Sequence, residues 1–180
     1  MKIALLEPLN VSEEMLREMA APVLERGHEL TVYDTKADSP QEVIRRAQGM
    51  DAVIIANTPF PAEAVTENPA LKYIDVAFTG VDHIPMAEAK QRGIAVSNAS
   101  GYATQAVAEL CVSFMIQLLR NVGKTEERCR NGGTKDGLVG NLLCGKTVGI
   151  VGAGAIGKKV AALCKAFGCS VLAYNRSTVS

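Results

Sequence analysis

The 180-residue chain has no tryptophan, no net charge and no apolar run long enough to cross a bilayer. Its 19 Lys and Arg residues are matched by 19 Asp and Glu residues. That balance leaves no electrostatic footprint for nucleic acid or an anionic membrane, and neither is expected as a partner. A spanning helix needs about 20 consecutive apolar residues. The opening segment, MKIALLEP, runs straight into a strand pattern, so no signal peptide is expected. The five cysteines, Cys111, Cys129, Cys144, Cys164 and Cys169, are odd in number and contain no C-x-x-C pair. Reduced thiols in a cytoplasmic protein are expected rather than disulfides, zinc or another metal site. No internal repeat or low-complexity segment interrupts the chain. What remains is a 48% hydrophobic composition, enough for a real core, in a length that suits one domain, or one and part of another.

The first hundred residues alternate strand and helix patterns. Strands are expected at 2–6, 29–33, 52–56, 71–77 and 93–97, from short runs rich in apolar and β-branched residues. Between them lie helix patterns with their punctuation. Ser12 caps a helix to Arg26, with Glu13 and Glu14 in its first turn and Gly27 at its end. Ser39 caps the next, through Gln48, with Pro40 in the first position. Shorter helices are expected at 61–65 and 85–92. Strict alternation with short connections predicts an α/β fold, a flavodoxin-like, doubly wound parallel sheet with helices on both faces. Ligands of such sheets bind at the carboxyl ends of strands, which draws attention to the loops at Glu7-Pro8, 57–61 and 78–83.

A long helix follows at 101–120, with Ala106, Val107, Leu110, Phe114, Leu118 and Leu119 at helical spacing, then a second at 125–130 and a glycine-rich loop at 131–145. The boundary between domains is placed near Asn98 to Gly101, giving domains 1–100 and 101–180. The second domain turns on one motif. Thr147 to Val151 reads as a buried strand, and Gly152-Ala-Gly-Ala-Ile-Gly157 follows at once, fitting G-x-G-x-x-G. Gly152 permits the tight turn, Gly154 lets a pyrophosphate approach the backbone, and Gly157 lets the following helix lie close to the strand. That helix, 155–167, offers its N-terminal amides to a phosphate. Gly168 ends it, and Ser170 to Tyr174 returns as a second strand, so the motif sits in the first βαβ unit of a Rossmann cofactor domain. The alternative, a glycine-rich turn that binds nothing, leaves Gly154 without a reason.

Four stretches resemble the D-isomer-specific 2-hydroxyacid dehydrogenase family: LKYIDVAFTGVDHIP, VSNASGYATQAVAELCVSFMIQLLRN, GNLLCGKTVGIVGAGAIG and FGCSVLAYNRS. The resemblance runs through the chain in order. It implies reversible hydride transfer between NAD(P)H and C2 of a small 2-oxo or 2-hydroxy acid. By the same resemblance Thr79 and Gly80 offer backbone amides to the substrate carboxylate, Tyr102 borders the substrate, and Thr104 borders the cofactor. Gly152, Gly154, Ala155, Ile156 and Gly157 fall at the pyrophosphate, and Asn175, Arg176 and Ser177 at the adenosine ribose. NADP is favoured over NAD, because Asn175 stands where an NAD-specific member has a carboxylate and Arg176 follows it. The resemblance also implies a homodimer, formed through the helix that starts near Gly101. A non-catalytic, dinucleotide-sensing binding protein or corepressor of the same fold is the alternative.

The chain also departs from the family pattern. Val76 replaces an arginine common in relatives, removing one candidate carboxylate contact. His83 replaces an asparagine, and its ring is expected to order its loop through a hydrogen bond. The family's catalytic Arg, Glu and His follow the second nucleotide strand, and no residue in 1–180 matches them. The expectation is therefore an inactive N-terminal fragment: a substrate domain and the beginning of a cofactor domain.

Overall fold

The computed structural model describes residues 1–178, and its backbone divides into two compact units, Met1–Ser100 and Gly101–Ser180. In the first unit β1 (Lys2–Leu5), β2 (Glu29–Val32), β3 (Ala52–Ile55), β4 (Tyr73–Val76) and β5 (Ala95–Asn98) form one parallel sheet in the order β2-β1-β3-β4-β5. This is the flavodoxin-like order, with the reversal between β1 and β3. The connecting helices are α1 (Glu13–Leu24), α2 (Pro40–Ala47), α3 (Ala62–Thr66) and α4 (Met86–Gln91). The caps act as expected. Ser12 accepts from the Met15 N–H and Ser39 from the Glu42 N–H, and Pro40 occupies the first turn of α2. Alternate residues of β1, β3 and β4 (Ala4, Val53, Ile55, Ile74, Val76) pack with Val43, Ala47, Ala64, Val65 and Ala89 of α2, α3 and α4 into one core. No residue of α1 is buried.

Two buried polar residues tie this core to distant backbone. Arg46, 5% exposed, donates to the carbonyls of Leu6 and Thr35, pairs with Glu42 and lies 4.5 Å from the Tyr33 ring centre. Asn68 donates to the carbonyls of Ala47 and Met50 and accepts from the N–H groups of Gly49 and Ala70. Every bonding position of its carboxamide is thereby used.

The Arg45 and Arg46 hydrogen bonds hold the Glu42 carboxyl down at about 2. A carboxylate whose folded value is depressed stabilises the fold above its unfolded value and loses that contribution as pH falls through the folded one. Unfolding by urea is therefore expected at a constant midpoint from neutral pH to about 5, and at a falling one from about 4.5, where free glutamates titrate, toward 2. Glu42→Gln should flatten that acid limb when the transition is followed on amide signals of β1 and β3. An unchanged limb would show that the pair does not couple to folding.

The second unit holds α5 (Thr104–Leu119), α6 (Val122–Arg130), β6 (Thr147–Val151), α7 (Ala155–Ala166) and β7 (Ser170–Tyr174). β6 and β7 pair in parallel from Thr147↔Ser170 to Val151↔Tyr174. Ala108 and Val112 of α5 pack with Val160 and Cys164 of α7 and with Leu143 and Cys169. α7 ends in a Schellman motif. The Cys169 N–H bonds the Cys164 carbonyl, the Gly168 N–H bonds the Lys165 carbonyl, and Gly168 takes φ +79. All five cysteines are unpaired thiols, and burial, with Cys169 and Cys111 nearby, pushes the Cys164 thiol up. Among the described residues no single helix is long and apolar enough to cross a membrane. α5 and α6 meet the length and hydropathy requirement only as a pair, bent by 62°.

Candidate functional site

Two loop systems, one in each unit, hold the expected residues other than Tyr102 and Thr104, which lie at the start of α5. In the first unit the site lies at the carboxyl ends of β1, β3, β4 and β5. Glu7, just past β1 and 1% exposed, turns its carboxylate onto the loop after β3. It accepts from the Ala56 N–H at 2.8 Å, the Thr58 N–H at 2.9 Å and the Thr58 hydroxyl at 2.8 Å. Burial pushes this carboxyl up, but the Thr58 and Ala56 donors outweigh burial and leave it below the ordinary value. The loop after β3 then meets the loop after β4 where the Phe60 N–H bonds the His83 carbonyl at 3.0 Å. The loop after β4 is held from its other side by the end of β5. The Ala99 N–H reaches the Val76 and Phe78 carbonyls at 3.0 and 3.1 Å, and the Asn98 carboxamide donates to the Thr79 carbonyl at 2.6 Å.

Thr79 and Gly80 are both exposed, and among the described residues neither N–H donates to a group of the chain. Two free amides in succession suit a carboxylate, since they bind an anion without a counter-charge. His83 differs from expectation. Its carbonyl orders the loop, whereas the buried Nε2 atom of its ring has no hydrogen-bond partner among the described residues. Val76 is fully buried among the core residues of the sheet, away from the exposed amides.

In the second unit the site lies at the carboxyl ends of β6 and β7. The Gly152 N–H bonds the Tyr174 carbonyl at 2.8 Å, and the chain turns there with Gly152 at φ +98. Gly154 caps α7 in an extended conformation open to any residue, φ −75 and ψ −163. A Cβ built on Gly157 would lie 2.1 Å from the Gly152 carbonyl oxygen, so this glycine is required by packing alone. A Cβ built on Gly154 meets, its two chain neighbours apart, no atom of the described residues within 4 Å. Neither backbone conformation nor a contact among the described residues calls for that glycine, and the space beside it is open to a group from outside. The amide-lined turn and the N-terminus of α7, whose first turn has no acidic residue, fit a dinucleotide pyrophosphate.

Asn175 follows β7 and joins the two loops. Its Oδ1 accepts from the Ala153 N–H at 3.1 Å, and its Nδ2 donates to the Ser177 carbonyl at 2.9 Å and hydroxyl at 3.3 Å. Its amide donors are thus spent on Ser177. Arg176 beside it is exposed and forms no ion pair among the described residues. Ala155 and Ile156 open α7. Tyr102, 60% exposed, precedes α5, and Thr104 is that helix's first residue. Among the described residues no group of three or more His, Cys, Asp or Glu side chains is placed to hold a metal ion.

Sequence reasoning pointed to the Glu7 loop but missed what Glu7 does, and it missed Asn98 altogether. The one available signal was positional: a polar residue at the carboxyl end of a strand in a parallel sheet, where ligand loops converge.

The chain matches the family model for D-isomer specific 2-hydroxyacid dehydrogenase, catalytic domain, over residues 3–177. It is 34% identical over 158 residues to a glycerate dehydrogenase of Methylorubrum extorquens, covering 82% of this chain and 49% of that protein. It is 34% identical over 177 residues to a D-3-phosphoglycerate dehydrogenase of Archaeoglobus fulgidus, covering 97% of this chain and 32% of that protein. Among solved structures, an acyclic imino acid reductase in complex with NADPH and D-Arg matches with a TM-score of 0.87 at 26% identity, covering 100% of this chain and 58% of that one. An NAD-dependent formate dehydrogenase from Staphylococcus aureus in complex with NAD matches with a TM-score of 0.83 at 28% identity, covering 98% and 56%. The chain spans about half or less of the length of these curated relatives.

Proposed function

The chain belongs to the D-isomer-specific 2-hydroxyacid dehydrogenase family, and from that membership and its two loop systems we propose that it serves hydride transfer between NAD(P)H and C2 of a small 2-oxo or 2-hydroxy acid. Residues 1–100 are its substrate-binding domain and residues 101–180 the start of its cofactor domain. The Thr79 and Gly80 amides bind the substrate carboxylate, and Tyr102 borders the substrate. Gly152, Gly154, Ala155, Ile156 and Gly157 hold the pyrophosphate, with Thr104 at the cofactor and Asn175, Arg176 and Ser177 at the adenosine ribose. The bound nicotinamide supplies or accepts the hydride. The observation that carries this reading is the open space at Gly154, reserved by a glycine that the fold itself does not need.

No residue of 1–178 is assigned as the acid or base that moves the C2 oxygen proton. Positioned proton transfer typically contributes about 10²–10⁴-fold. The 180 residues assayed alone should therefore bind NADPH, seen as a saturable change in its fluorescence, yet reduce glyoxylate, pyruvate and hydroxypyruvate no faster than background. Absence of binding would remove the cofactor assignment. Turnover that persists through repurification would show that the acid–base pair lies within these residues.

A homodimer in the cytoplasm completes the proposal. The five free thiols suit a reducing compartment. The apolar face of α5 carries Phe114 and Leu118, the latter 80% exposed, over a cavity of about 540 Å³ also lined by Gln117 and Lys124. Exposed apolar surface of this kind marks an interaction site. Sedimentation is expected to show a dimer, and Phe114→Asp with Leu118→Asp a monomer. A wild-type monomer would contradict the assignment of this face.

A further inference from the structure

The two amides assigned to the carboxylate are not aimed by their own side chains. A trans peptide unit is planar, with its N–H opposite its C=O, and among the described residues no peptide bond is cis. The direction of the Thr79 N–H is therefore set by whatever holds the Phe78 carbonyl. The direction of the Gly80 N–H is set by whatever holds the Thr79 carbonyl. Both carbonyls are held by the end of β5. The Ala99 N–H takes the Phe78 carbonyl at 3.1 Å while also bonding Val76, which closes the β4–β5 ladder. Thr79 lies one residue beyond Phe78 and three beyond that last ladder bond at Val76. There a side chain takes over, the Asn98 carboxamide at 2.6 Å from the Thr79 oxygen.

We propose that Asn98 is a positioning residue for substrate. By gripping the Thr79 carbonyl it turns the Gly80 N–H outward, toward the carboxylate of the 2-oxo acid. The proposal rests on the reading of Thr79 and Gly80 as carboxylate donors. The choice of side chain follows from the chemistry. The group must donate, because its target is a carbonyl oxygen, and it must be short, because it springs from the neighbouring strand. It must also be neutral. An aspartate has the same shape but no N–H to give, and it would set a negative charge beside an anionic ligand. A lysine would donate, but as a mobile point charge it would attract the carboxylate away from the amides. The frame on the other side of the loop, Glu7 to Thr58 and Phe60 to His83, keeps the loop from following if Asn98 lets go. Loss of Asn98 should therefore free one peptide unit rather than melt the site.

The test is a titration of the ¹⁵N-labelled 180-residue chain with pyruvate, read at individual amides. In the wild type the Thr79 and Gly80 signals are expected to move along one saturable curve. In Asn98→Ala, Kd should rise roughly tenfold, about the loss of one hydrogen bond to a charged group, and in the isosteric Asn98→Asp at least as much, since its charge also repels the carboxylate. The free Gly80 signal should shift, while those of Val76 and Ala99 and the urea midpoint stay in place. Asn98→Gln, which keeps the donor, should recover part of the affinity. If both variants bind pyruvate as the wild type does, or if they lower the urea midpoint without changing Kd, Asn98 is structural and the proposal is wrong. If Thr79 and Gly80 of the wild type ignore pyruvate, the carboxylate assignment itself fails and takes the positioning role with it.

Discussion

Gly154→Ala and Gly157→Ala, three residues apart in one motif, are expected to fail in opposite ways. A methyl on Gly157 lands 2.1 Å from the Gly152 carbonyl oxygen, 3.1 Å from its carbonyl carbon and 3.3 Å from Ile150. The first two are backbone atoms of a tight turn, so α7 must move away from β6. Overpacking typically costs about 1–3 kcal/mol and more where backbone has to shift, so a loss of about 3 kcal/mol is expected for the second unit. A methyl on Gly154 meets, its chain neighbours apart, no atom of the described residues within 4 Å, and the backbone there is extended. Stability should stay within about 0.5 kcal/mol, as for an ordinary surface substitution, or rise by about 0.4–1 kcal/mol through a less free unfolded chain. The same methyl would stand against the pyrophosphate. If that crowding costs about 1–3 kcal/mol, Kd for the dinucleotide rises roughly 5- to 150-fold. Hydrogen exchange of β6 and β7 reports the first effect, and cofactor fluorescence the second. Gly154→Ala binding dinucleotide as tightly as the wild type would leave that glycine unexplained and the motif a turn.

NADPH is expected to bind more tightly than NADH, and Arg176→Ala to erase the difference. A carboxylate at position 175 would accept from the ribose hydroxyls, worth about 1.5–3 kcal/mol. It would also repel a 2′-phosphate by about 4 kcal/mol, for unit charges about 4 Å apart at an effective dielectric near 20. Asn175 removes that repulsion. Its oxygen already receives the Ala153 N–H and its nitrogen serves Ser177, so it acts as a brace between the glycine turn and the residues after β7. Arg176, exposed beside that brace, offers the planar fork that suits phosphate oxygens. Arg176→Ala should weaken NADPH by roughly tenfold, one charge-assisted hydrogen bond, and leave NADH nearly unchanged. Asn175→Asp should act in reverse, favouring NADH. Equal affinities in the wild type, or equal losses in Arg176→Ala, would contradict the assignment.

What could be read from the sequence was the part written locally. Ser12, Ser39 and Pro40 mark helix starts because a cap bonds an amide two or three residues away. Alternating strands and helices gave the parallel sheet, and the glycine motif showed its turn and its close packing by spacing alone. Boundaries shifted where the backbone left the right-handed region. Gly101, at φ +93, holds residues 101–103 in a turn, so α5 starts at Thr104 rather than Gly101. Asn121, at φ 53, breaks the chain between α5 and α6, so α6 begins at Val122, three residues before the expected start. The illegible part is the polar framework. Glu7 reaches the loop after β3, Arg46 the ends of β1 and β2, Asn68 the turn after α2, and Asn98 the loop after β4. Each serves carbonyls or amides 11 to 51 residues away, and no local pattern encodes such a bond. His83 shows the same limit, since its contribution comes from a carbonyl that every residue possesses.

The claim that most needs testing is that the glycine turn and the residues after β7 form one dinucleotide site. The direct measurement is an NADPH titration of the ¹⁵N-labelled chain, mapped amide by amide. Saturable shifts confined to residues 152–157 and 175–177, with the largest at the Gly154, Ala155 and Ile156 amides, are the predicted result. Shifts scattered over the surface, or none at saturating NADPH, would contradict it.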